Sequence, residues 1–110
     1  MYKLEFYVPE SHLQEVKNAV FDAGAGKIGE YDLCCWETSG LGQFRCSDIA
    51  EPFLGTPGNL EKVREVKVEM VCAEMYIEAA VKALKAAHPY QTPAFQYWKV
   101  EGMAEGESSN

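Results

Sequence analysis

The chain predicts an α+β domain: one antiparallel sheet of four strands, two helices on one of its faces, and an extra hairpin arm. Three observations carry that expectation. Residues 2–8 and 64–73 alternate apolar and polar side chains with the period of two of a half-buried strand. Each stretch is followed by a run with apolar residues at helical spacing. The two strand–helix units also match at an offset of 64 positions, pairing Lys3 with Lys67, Glu5 with Glu69, Glu10 with Glu74, Ala19 with Ala83 and Ala23 with Ala87. A doubled strand–helix–strand unit is the ferredoxin-like, split βαβ plan. With 110 residues the chain is one such domain, expected over 1–100 with a flexible tail at 101–110.

In order, "YKLEFYV" turns Leu4, Phe6 and Val8 to one side and Lys3, Glu5 and Tyr7 to the other. "PESHLQEVKNAVFDAG" then places Leu13, Val16, Val20 and Ala23 on one helical stripe. Ser11 and Gln14 suit a capping box at its start, and Gly24 and Gly26 supply the positive φ that ends it. "KIGEYDLCCWET", aromatic and small apolar, reads as the second strand, and "SGLGQF" as the turn into a short hairpin arm. Residues 47–62, with Pro52, Gly55, Pro57 and Gly58, carry loop chemistry. "REVKVEMVCA" puts Val66, Val68, Met70 and Cys72 on one face, the clearest strand in the chain. "EMYIEAAVKALKAAH" lines up Ile77, Val81 and Leu84 with Ala87 or His88 until Pro89 stops the helix. "AFQYWKV" is the last strand. Counting strand directions brings the turn "HPYQTP" to the same end as Pro9 and the long connection, with "GAGAGKIG" at the other end.

Composition narrows function. A net charge of −7 removes the basic face that nucleic acid requires and disfavours anionic membranes. "MYKLEFYVPE" lacks the apolar core of a secretory signal, and no apolar run approaches the roughly 20 residues that cross a bilayer, so a cytoplasmic location with four reduced thiols is expected. "AGAGKIG" follows a helix, where the dipole is negative, so it caps that helix and does not cradle phosphate. Cys34 and Cys35, adjacent on the expected strand, point to opposite faces and share no ion. Cys72 is buried, and Cys46 alone has a cation, Arg45, beside it. "HPYQTP" is held stiff by two prolines. Such stiff display suits a subunit contact or a ligand pocket, and His88, Tyr90, Gln91 and Tyr31 are the candidate ligand-binding or interface residues. His88 is the metal candidate, sharing a divalent ion with a cysteine or carboxylate of a neighbouring subunit. No catalytic set and no resident cofactor are read from the chain.

"YKLEFYVPESHLQEV", "AGAGKIGEYDLCCWETSGLGQFR", "GNLEKVREVKVEMV" and "HPYQTPAF", in that order across residues 2–100, resemble the YqfO-like family. These are stand-alone relatives of the PII-like domain inserted in the dinuclear-metal-centre proteins related to the yeast NGG-one-interacting factor. "HPYQTP" also resembles the His-Pro-Tyr-Glu segment of the CutA divalent-ion-tolerance proteins. The resemblance implies a PII/CutA-like fold and a homo-oligomer, a trimer, of structural or regulatory role. An alternative implied role is a small-molecule or divalent-metal sensor using an intersubunit cleft near His88 and Tyr90. It does not imply the dinuclear centre, whose ligands lie in a flanking domain. Two positions depart from the family pattern: Leu33 stands where a polar residue, often His, is common, and Gln91 where an acid usually follows His-Pro-Tyr. The segment also offers no Lys or Arg for the nucleotide that PII proteins bind.

Overall fold

A computed structural model describes residues 1–48, 53 and 55–102. Its elements are β1 (Tyr2–Pro9), α1 (Leu13–Asp22), β2 (Trp36–Arg45), β3 (Leu60–Cys72), α2 (Ile77–Ala87) and β4 (Phe95–Lys99). A single 3₁₀ turn leads into each helix, Glu10–His12 into α1 and Glu74–Tyr76 into α2. The sheet order is β2-β3-β1-β4 with every pair antiparallel. The predicted ferredoxin-like plan is therefore the fold. The offset repeat is structural too: Pro9 and Ala73, 64 positions apart, precede the two 3₁₀ turns at nearly identical dihedrals, φ −63°, ψ 147° and φ −63°, ψ 149°.

Register explains the core. Leu4, Phe6 and Val8 stand opposite Met70, Val68 and Val66, all buried, and Val16, Val20, Ala80 and Leu84 of the helices cover them. The face without helices carries Lys3, Glu5 and Tyr7 with their partners Val71, Glu69 and Lys67. There Gln96 Nε2 donates to Glu5 Oε1 at 2.9 Å and Lys67 lies 3.7 Å from the same oxygen. Lys3 bridges to Glu69 at 3.2 Å and holds that carboxyl below its ordinary pKa.

Three expectations need correction. The second strand does not cover residues 27–38. Residues 27–35 form a loop, because Gly29 and Leu33 take positive φ, Cys34 N–H returns to Gly26 O, and an Ile28–Tyr31 bridge closes the turn. "SGLGQF" is no turn: it lies inside β2, which pairs with β3 over ten residues and makes the arm a two-stranded ribbon. The capping box is absent, since Ser11 Oγ meets His12 Nδ1 and Gln14 donates to Asn18. Gly24 and Gly26 do hold positive φ after α1. Of the expected loop, residues 49–52 and 54 lie outside the described residues, as does the tail from residue 103 onward.

Candidate functional site at the histidine turn

The site begins with a proline. Pro89 forces His88 out of the helix to φ −70°, ψ 135°, while His88 N–H still closes the last helical bond to Leu84 O at 2.9 Å. The extended backbone swings the imidazole inward, to 6% exposure. Its Nε2 lies 2.7 Å from Tyr7 O, and its Nδ1 lies 3.1 Å from Tyr90 N. A carbonyl only accepts and an amide N–H only donates, so Nε2 carries the proton and Nδ1 the lone pair. Burial pushes the His88 pKa below its ordinary value, which keeps this neutral form.

Tyr90 turns back toward the arm. Its hydroxyl donates to Glu65 Oε2 at 3.0 Å, and burial followed by that carboxylate pushes its pKa well above the ordinary phenol. Its ring meets His88, Phe44 and Phe53 at centroid distances of 5.0, 6.0 and 6.3 Å. His12 stands edge-on to Phe53 at 5.2 Å. The cluster thus ties the ends of β1 and α2 to the base of the arm. Gln91 is exposed on the same turn.

Tyr31 is not among these residues. It lies in the loop after α1, which Gly26 N–H fastens to Val71 O at the far end of β3. Glu65, Phe44 and Phe53 are members that the sequence reading missed. Their signal was positional: Glu65 pairs with Pro9, so any residue reaching past the end of β1 meets it.

The site's chemistry is that of a bracket. Both ring nitrogens of His88 are engaged, which leaves no lone pair there for an ion. Among the described residues no three His, Cys, Asp or Glu side chains gather as a metal-ligand group. Ser11 and His12 touch at 2.8 Å as exposed chain neighbours, with Phe53 and no carboxylate beside the ring. All four cysteines are free thiols. Cys34 and Cys35 precede β2 and do not lie on a strand, and burial raises the pKa of Cys35 and takes that of Cys72 up to about 11. A thiol in that state is a poor nucleophile.

No protein-family model matches the chain. It is 46% identical over 93 residues to the GTP cyclohydrolase 1 type 2 homolog of Mycobacterium leprae, covering 84% of this chain and 24% of that protein. A Bacillus cereus protein related to NIF3 matches with a TM-score of 0.76 and 33% identity, covering 94% of this chain and 26% of that one. The PII-like protein CutA from Nostoc matches with a TM-score of 0.67 at 16% identity, covering 98% and 97% of the two chains, a likeness of fold alone. The chain spans about a quarter of the length of the curated relatives it matches.

Proposed function

Because the chain belongs to the YqfO-like family, relatives of a domain within the GTP cyclohydrolase 1 type 2 homologs, we propose that it is a non-catalytic PII/CutA-like module that assembles with copies of itself. The observation that carries the reading is the helix-free face of the sheet. Glu5 is only 8% exposed there although no helix covers it, and Trp36 and Trp98 stand exposed at either side. A charge-balanced centre flanked by indoles has the composition of a protein–protein contact, where tryptophan is enriched. The histidine turn supports the same reading from the other direction. His88 spends its ring on the main chain, so no general base is left for a nucleophile, and the turn sets the arm against the body.

The test is the mass in solution. Sedimentation from low to high micromolar concentration is expected to give a small multiple, three, of the 12.3 kDa chain. A single-chain mass throughout that range would overturn the reading.

A further inference from the structure

The arm changes character where it leaves the helices. On the face of β3 that the helices cover, Val66, Val68, Met70 and Cys72 are buried. Continued outward, the same face reads Arg64, Lys62 and Leu60, opposite Leu41, Gln43 and Arg45 of β2, and all six are exposed. Both arginines of the chain lie on this patch, and no acidic residue does. Among the described residues Lys3, Lys17 and Lys67 meet carboxylates, whereas Arg45, Lys62 and Arg64 meet none. Three close, unpaired cations repel one another, so the fold gains nothing from them. Beside them Leu41 and Leu60 are 65% and 57% exposed.

The opposite end of the molecule carries the inverse pattern. Glu30, Tyr31, Asp32 and Leu33 alternate acid and apolar side chains, and all four are exposed. Leu33 is 64% exposed and sits at φ 56°, a backbone region that a leucine enters only at a cost. The chain thus holds an apolar side chain in solvent by a strained backbone, at a place where the core does not use it.

One chain cannot join these patches. Seven residues of β3 separate Arg64 from Val71, where the loop is fastened, and at about 3.3 Å per residue that is about 23 Å. We infer that the arm of one copy docks on the Glu30–Leu33 loop of the next, with Arg45, Lys62 and Arg64 facing Glu30 and Asp32, and Leu41 and Leu60 against Tyr31 and Leu33. The inference rests on the self-assembly proposed above and names the surfaces that join. Two different patches at opposite ends make a head-to-tail contact, which closes into a ring when the rotation per copy allows.

The test compares four full chains by sedimentation: native, Arg45→Glu with Arg64→Glu, Glu30→Lys with Asp32→Lys, and all four changes together. Each double variant is expected to assemble at least tenfold more weakly while keeping a native circular-dichroism spectrum. The fourfold variant is expected to regain the native mass, and 1 M salt to weaken the native assembly. Leu33→Asn, which accepts the left-handed backbone, covers the case of a double variant that fails to fold. It should keep the fold and weaken assembly. Native mass in both folded double variants, or no recovery in the fourfold one, overturns the inference and leaves self-assembly standing. A native chain of single mass overturns both. Weakening by the arm changes alone, with the loop changes silent, assigns the arm to another acidic surface and overturns the pairing with the loop.

Discussion

At the scale of single residues, His88 carries the heaviest structural duty at the turn. Truncation to alanine strips a partner from Tyr7 O and from Tyr90 N–H and leaves a cavity. The expected cost is about 2–4 kcal/mol in urea unfolding. The pH dependence has a definite sign. The folded-state pKa of His88 lies below the ordinary 6.5, so the unfolded chain takes the proton first as pH falls. The stability that the neutral ring contributes is present above pH 6.5 and is lost below it. Between pH 7 and 5.5 the native urea midpoint should fall more than that of His88→Ala. The bracket geometry also predicts a null result with ions: zinc or copper titrated into the native chain and into His88→Ala should give the same heats. Heat that vanishes with the imidazole would restore the sensor reading. The position of His88 at the top of the sheet was legible from strand parity and Pro89, but its inward rotamer was not. That depends on Tyr7 O, a main-chain atom 81 residues away that leaves no mark in a side-chain pattern.

At the scale of elements, β2 is where sequence and structure part, and the reason is local. Gly40 and Gly42 resemble turn residues, yet they lie mid-strand. Gly42 is needed because a Cβ there would sit 2.1 Å from Glu65 Oε1. The Glu65 carboxylate, held by Tyr90, would have to move. Gly42→Ala should therefore cost about 1 kcal/mol, and Tyr90→Phe a similar amount. Because both act through one carboxylate, their double mutant should fall short of the sum by about 0.5 kcal/mol or more. Additive costs would mean that the Tyr90–Glu65 bond is not what Gly42 protects. Strands β1 and β3 were legible because one face of each is buried against helices, which enforces alternation. β2 lies at the sheet edge with most residues exposed, so burial imposes no such pattern on it. Residues 27–35 misled in the opposite way: their aromatic and thiol content resembles a strand, but positive φ at Gly29 and Leu33 breaks it.

At the scale of the whole molecule, the repeat at offset 64 means that one strand–helix design is used twice, and the differences between the copies show where function resides. The first copy ends in the loop that exposes Tyr31 and Leu33, and the second ends in the histidine turn. If copies associate as proposed, unfolding becomes linked to protein concentration. The thermal midpoint should rise measurably across a hundredfold increase in concentration, and a midpoint independent of concentration would contradict association. The sheet order and helix placement were legible because they follow from chain direction and amphipathic stripes. The pairing of cationic and acidic patches needed the register, which only the folded sheet supplies.

β3 runs without a break for thirteen residues, from beneath the helices out through the ribbon. The ribbon consequently has no joint. It is a cantilever whose root is welded into the hydrophobic centre, so whatever it meets must approach along a bearing already set by the sheet's twist, and little disorder remains to be frozen out on contact.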